Sequence, residues 1–267
     1  MNILVVVAVW LLLTCFFIFL SINSIFHGLV IPWSNLILFI VLWAGATILI
    51  ILFIYLRKKS KKQTKQLFEQ YKETPSSSYK DREYFYQTPL IIFNNQERPV
   101  YGKKDITYYG FFNNLIQKTL SLTGFFPLFG VKLNSDNHHI AVKRIKWWHI
   151  RPHFEVYWND QKIGILFMKS LFSKKAIQQL PYKFKDSKKR NFDFNNPFFS
   201  HETIIKDPNG NKLLEARRSF FDLGKSNKTN QRGETHHLKT FENNYDYPDE
   251  LWLALYIQVM ITKQTTQ

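Results

Sequence analysis

Two apolar runs open the chain and a third lies near its other end. Ile3–Leu20 is interrupted only by Thr14 and Cys15, and Leu36–Leu56 runs 21 residues without a charge. A helix rises about 1.5 Å per residue, so about 20 residues cross a hydrocarbon core of about 30 Å. Fifteen of the 21 residues in the second run are Leu, Ile, Val or Phe. Their insertion is worth on the order of −7 kcal/mol, an upper figure because end positions count less. The pattern predicts two membrane-spanning helices within residues 1–56. A cleaved signal peptide would carry a basic start, which is missing, and Ser21-Ile22-Asn23-Ser24 is a poor cleavage site. The first run is therefore expected to stay as a helix.

After Tyr79 the texture changes to short apolar and aromatic runs broken by turn residues. His139–Ile145 alternates, with Ile140, Val142 and Ile145 set largely opposite Lys143 and Arg144. Phe154–Trp158 and Ile163–Met168 flank Asn159-Asp160-Gln161-Lys162, a strand-turn-strand pattern. Glu202–Lys206 and Lys212–Arg218 flank Asp207-Pro208-Asn209-Gly210, where Pro presets φ and Asn-Gly tolerates positive φ. Pro89–Phe93, Tyr182–Phe184 and a last run near His237–Phe241 are further strand candidates, the last following a long polar loop from Phe221. Tyr108–Leu122 is ambiguous, because Phe111, Phe112, Leu115, Ile116 and Leu120 have helical spacing. Short strands at about ten-residue intervals indicate an antiparallel sandwich or barrel over residues 81–267.

Near the C-terminus, Tyr247-Pro248-Asp249-Glu250 reads as a helix start, with Pro and two carboxylates in the first turn. Leu251–Ile261 follows and is apolar on every face. Such a helix has no solvent side, and 11 residues are too few to span a bilayer. It is expected to be enclosed by the strands; the alternative is an ordinary pair of buried strands. A strand-rich domain ending in Pro-Asp-Glu-Leu-Trp-Leu-Ala-Leu-Tyr-Ile-Gln-Val-Met-Ile resembles the tubby C-terminal-like group, with its LURP-one-like and scramblase-like members. The hairpin through Trp158-Asn159-Asp160-Gln161-Lys162-Ile163-Gly164 is similar to units of that group. The resemblance covers residues 80–262 and implies a closed β-barrel around a buried C-terminal helix. It transfers no individual site residue.

Charge sharpens the picture. Residues 1–56 hold no Lys, Arg, Asp or Glu, so the whole net charge of +16 lies in the remaining 211 residues. Arg57, Lys58, Lys59, Lys61, Lys62 and Lys65 crowd the start of a basic linker, residues 57–80, which Thr74-Pro75-Ser76-Ser77-Ser78 closes. Gln63–Glu73 has the composition to prolong the second helix by a few turns. The positive-inside rule places the cluster, and with it the barrel domain and the N-terminus, in the cytoplasm. The cluster fixes topology and also suits anionic lipid headgroups. The lone cysteine, Cys15, lies in the first helix, so the domain carries no disulfide.

Candidate chemistry beyond this is sparse. Lys143, Arg144, Lys146, Trp147, Trp148 and Arg151 mix cations with tryptophans, as a headgroup contact or an ordinary strand with a basic face would. Single-stranded nucleic acid also binds such surfaces, but a domain tethered at a membrane meets lipid first. His149 and His153 are separated by Pro152, and no H-E-x-x-H, P-loop or G-x-S-x-G motif is present. The residues thus point to a membrane-anchored, non-enzymatic binding or scaffold domain without cofactor or metal. Its partner is anionic lipid. Two alternatives stand beside it: an accessory or immunity-type protein acting on another integral membrane protein through the small Ala44-Gly45-Ala46 step, and an enzyme whose site is assembled from distant residues.

Overall fold

The computed structural model describes residues 3–28, 33–73, 79–88, 96–122, 129–145, 151–169, 181–197, 200–219, 233–242 and 245–266. Its first two elements, α1 (Ile3–His27) and α2 (Trp33–Glu73), pack side by side. Each contributes a Trp and a Thr to the contact. The Trp10 indole donates to Thr47 Oγ1 at 2.8 Å, and the Trp43 indole donates to Thr14 Oγ1 at 2.9 Å. Each hydroxyl donates its own proton to the carbonyl four residues back, so all four of these side chains are hydrogen-bonded. Among the described residues one stretch, Val7–Phe26, is long and apolar enough to cross a membrane; the apolar stretch of α2 is shorter, Leu36–Leu52. The expected basic linker starts as helix, since α2 runs unbroken through Arg57 to Glu73.

Twelve strands follow: β1 (Glu83–Gln87), β2 (Arg98–Val100), β3 (Ile106–Phe111), β4 (Gly130–Ser135), β5 (His139–Ile145), β6 (His153–Trp158), β7 (Gln161–Met168), β8 (Tyr182–Asp186), β9 (Asn191–Asn195), β10 (Glu202–Lys206), β11 (Lys212–Arg218) and β12 (Thr235–Thr240). They form one antiparallel sheet in which β2 to β12 pair in sequence order and β1 lies beyond β12. The two edges meet where Phe85 and Tyr101 exchange backbone hydrogen bonds of 2.8 and 2.7 Å. The product is a nearly closed up-and-down barrel. A short helix, α3 (Leu115–Leu122), capped by the Asn114 side chain, stands between β3 and β4.

Local chemistry explains the tight turns. Between β6 and β7, Asn159 and Asp160 both take positive φ (46° and 64°), which their short polar side chains tolerate. Between β10 and β11, the Asp207 carboxylate accepts the N–H groups of Asn209 and Asn211, and Gly210 supplies φ 89°. Gly164 of β7 is needed for another reason: a Cβ there would lie 2.4 Å from the Lys185 carbonyl on β8.

The fourth helix, α4 (Asp249–Thr266), fills the barrel. Every residue from Leu251 to Ile261 is at most 2 % exposed. The strand-pair alternative for this segment therefore falls. Inward rows from the strands, such as Leu133, Val142, Phe154 and Leu214, meet it from all sides. Other expectations shift. The ambiguous stretch resolves into β3 followed by α3, and β12 begins at Thr235 rather than His237. Pro89–Phe93 lies outside the described residues, while β1, β2, β4 and β9 are strands that the pattern did not single out.

Enclosure on all sides makes a testable demand. Leu253, Leu255, Ile257 and Val259 are all fully buried although alternate helical residues turn by about 200° and cannot share a face. A buried unpaired ammonium costs several kcal/mol, comparable with the stability of a whole domain. Leu253→Lys, Leu255→Lys and Ile257→Lys, each in the detergent-solubilised full chain, are expected to abolish the cooperative melting of the β signal in circular dichroism. A near-wild-type midpoint for any one of them contradicts the enclosure.

Candidate functional site

The barrel ends differ in kind. They are named here by the termini of α4. At the amino end lie the turns 101–105, 136–138, 159–160, 187–190 and 207–211 and the entry to α4; at the carboxyl end lie the opposite ends of the strands and the end of α4. Buried carboxylates gather at the amino end. Asp186 is bound by Arg190 (2.6 Å) and the Tyr247 hydroxyl (3.1 Å), Asp207 by its own turn and Tyr245, and Glu250 by Lys104 (3.1 Å). Asp249 accepts from Thr240 at 2.9 Å.

Buried cations gather at the carboxyl end. Arg98 on β2, Arg144 on β5 and Arg218 on β11 are 3, 5 and 7 % exposed. Their cross-strand partners are Tyr108, Phe154 and His236, all inward-facing, so the register points all three guanidinium groups into the barrel. Lys263, near the end of α4, joins them half-buried. Negative charge at a helix start and positive charge at its end both oppose the helix dipole, and α4 has each inside its own container.

One constellation here resembles acid–base machinery. His236 Nδ1 lies 2.8 Å from the Tyr256 hydroxyl, and its Nε2 lies 3.5 Å from the Glu234 carboxylate. Its ring stacks on Tyr86 at 4.5 Å between centroids. Burial pulls the His236 pKa down, and Arg218 and Lys263 add to the effect, while Glu234 opposes it. Arg218 also pairs with Glu234 at 3.7 Å. His236 has no exposed surface. The group ties β12 and β11 to α4.

The residues singled out in the sequence are scattered by the fold. Lys58, Lys59 and Lys62 are exposed on α2; Arg57, Lys61 and Lys65 belong to the same helix, and their side chains lie outside the description. Lys143 stands on the outer face of β5 with its ammonium 4.3 Å from the Tyr157 ring centroid. Arg151 is exposed. Lys146, Trp147 and Trp148 lie outside the described residues. Arg144 is a correction. It does not share a basic outer face with Lys143; strict alternation puts it in phase with Ile140 and Val142, over the Phe154 ring at 5.6 Å, and Ile145 takes the outer position instead. The same logic applied to Leu214, Ala216 and Arg218 would have found the second buried arginine. Arg98, in a three-residue strand, leaves no such signal.

Two shallow grooves mark the outer wall. One, of about 530 Å³, crosses β6 to β8, with Ile165 and Phe167 on its floor, His153 stacked on Phe167, and Lys162 and Lys185 at its margin. Lys162 is already engaged by Glu155. The other, of about 400 Å³, mixes Glu83, Glu215, Arg217 and Lys239. Among the described residues, no group of three or more His, Cys, Asp or Glu is placed to hold a metal ion. No family model, curated protein or solved structure matches this chain.

The buried histidine sets a pH dependence whose sign follows from its direction. In the unfolded chain His titrates near 6.5, whereas burial holds His236 below that. As pH falls from about 7.5, the unfolded state takes up a proton first, so stability declines until the folded pKa is passed. His236→Gln, which keeps a polar partner for Tyr256, is expected to lose stability at pH 8 and to flatten the fall in melting midpoint between pH 7.5 and 5.5. An unchanged slope would remove His236 as its source.

Proposed function

We propose that the protein is a membrane-anchored, non-enzymatic binding or scaffold protein, with two spans and a basic barrel domain that acts at the inner membrane face by holding anionic phospholipid headgroups. The observation that carries this is α2. Within one unbroken helix, the 24 uncharged residues from Trp33 to Leu56 pass directly into six cations among nine residues. The described apolar part of α2 packs on α1, which has the length and composition of a span. Exposed cations at that border gain on the order of 1 kcal/mol each from an anionic leaflet and favour the cytoplasmic side. The up-and-down barrel around a buried C-terminal helix is the arrangement that the tubby-like resemblance implies, and it supports a binding role.

A second function has an observation of its own. A Cβ added at Gly45 would meet nothing within 4 Å. This small-residue position is therefore left open by α1, as a docking notch for the helix of another integral protein would be.

Two measurements test the first reading. Ser77→Cys in a Cys15→Ala background is expected to resist a membrane-impermeant maleimide in intact cells and to react after lysis; labelling in intact cells reverses the orientation. Residues 79–267, expressed alone, are expected to float with vesicles containing phosphatidylserine, to release as salt rises from 50 to 500 mM, and to ignore neutral vesicles. Absence of flotation at low salt leaves the basic charge to topology and solubility.

A further inference from the structure

We infer that one wall of the barrel, the outer face of β5 to β8, is the surface that lies against the anionic leaflet. This rests on the membrane-anchored reading above and adds to it which residues make the contact.

The register builds the face. Ile165 stands between Glu155 on β6 and Lys185 on β8, and Phe167 stands between His153 and Lys183. Beyond β6 the same two rows continue to Lys143 and Ile145 on β5. Neighbouring strands lie about 4.8 Å apart, so the four strands make a face about 14 Å wide. Its centre is apolar. Ile165 is 36 % exposed and, among the described residues, is the one exposed large aliphatic side chain on a strand. Phe167 carries the His153 ring stacked on it at 6.0 Å between centroids. Ile165 and Phe167 are the floor of the groove of about 530 Å³.

Charge is sorted around the barrel in step with this floor. Leaving out the buried positions, β4 to β8 carry five lysines, Lys132, Lys143, Lys162, Lys183 and Lys185, against the single carboxylate of Glu155. The strands of the other half, β9 to β12 and β1, carry four cations against four carboxylates. Some of the lysines have local partners. Glu155 binds Lys162, and Asp193 on β9 lies 3.8 Å from Lys183. Lys185 is exposed and, among the described residues, has no carboxylate at ion-pair distance. Four lysines against one carboxylate on β5 to β8 leave this wall positive, while the other half is balanced.

The chemistry favours a lipid surface over a peptide. β6 and β7 are each paired on both sides, so their backbone N–H and C=O groups are spent in the ladders. The face therefore has no open edge for an extended chain to join. Side chains alone meet the partner. A lysine is a point charge on a flexible apolar stem, which follows a headgroup at many angles and covers apolar floor as it does so. Cations around a small apolar centre match a leaflet that is anionic at its surface and apolar beneath.

The test uses the full-length Cys15→Ala chain reconstituted in phosphatidylserine-containing nanodiscs. Single cysteines replace Ile165 and Lys185 on this wall, Arg217 and Lys239 on the other half, and Leu115 and Asn209 at the two ends. Each carries a fluorophore that brominated lipid quenches from the membrane and acrylamide quenches from water. Lipid quenching at 165 and 185 is expected to exceed that at the other four positions about threefold or more, and to fall away in neutral nanodiscs. With the probe at 165, Lys143→Glu combined with Lys183→Glu is expected to remove about half of the lipid quenching or more, and Glu155→Gln to increase it. Lys206→Glu combined with Lys212→Glu, an equal change of net charge on the other half, is expected to leave it unchanged. Strongest lipid quenching at any of the other four positions overturns this face while leaving the headgroup reading intact. Equal losses from the two charge-reversed pairs assign the contact to net charge and overturn the inference. A probe at 165 closed to both quenchers places protein on the wall and overturns the lipid contact there. No lipid quenching at any position, with acrylamide reaching 165, overturns both the face and the headgroup reading.

Discussion

A helix without a polar face cannot be left in water, and the rest of this domain is organised around that fact. α4 is apolar or buried around its full circumference, so it needs partners in every direction rather than on one side. A sheet supplies them only by closing. Small barrels of about eight strands fill their interiors with side chains, and wider ones leave space. Twelve strands leave room for a helix, and the helix in turn makes the wide barrel a packed core rather than a channel. Each component covers the other's apolar surface. The inward rows of the strands have no other apolar surface to meet, and α4 has no other shelter.

The polar groups inside the barrel follow from the same enclosure. Sealing a helix away from water removes the solvent that ordinarily serves its unpaired ends. Asp249 and Glu250 place negative charge at one end, and Arg98, Arg144, Arg218 and Lys263 supply positive charge at the other. Gln258, also fully buried, donates to the Phe129 carbonyl at 3.0 Å and so gives α4 a fixed rotation against β4. His236 and Tyr256 do the same against β12. Polar contacts inside an apolar barrel are few, and each pins one register of the helix.

Much of this was legible along the chain, and the failures have physical causes. The enclosed helix could be read because an apolar run with a carboxylate-rich start and too few residues to span a membrane has one stable solution. The β6–β7 and β10–β11 hairpins could be read from Asn159-Asp160 and Asp207–Gly210, whose backbone needs are specific. β1 could not, since Tyr84, Phe85, Tyr86 and Gln87 are buried on both faces and the alternation vanishes. β2, with three residues and a Pro, offers no period. Of the proposed contact residues, Arg144 was misplaced because a cation was given to the solvent face by type, whereas its phase in β5 matched Ile140 and Val142. An arginine in that phase is tolerated only next to a helix C-terminus and an aromatic ring, neither of which is near in sequence.

The seam between β1 and β2 bears on how such an object can be assembled. Among the described residues every other strand boundary is a ladder of three or more residue pairs, but this one is a single bridge between Phe85 and Tyr101. α4 follows all twelve strands in the chain, so the sheet has no core to wrap while it is being synthesised. Until residues 251–261 have been made, the inward rows of the strands have no helix to pack on. A seam with one bridge is suited to that order of events: it is the place where the wall can stay parted, at the loss of two hydrogen bonds, until its contents arrive.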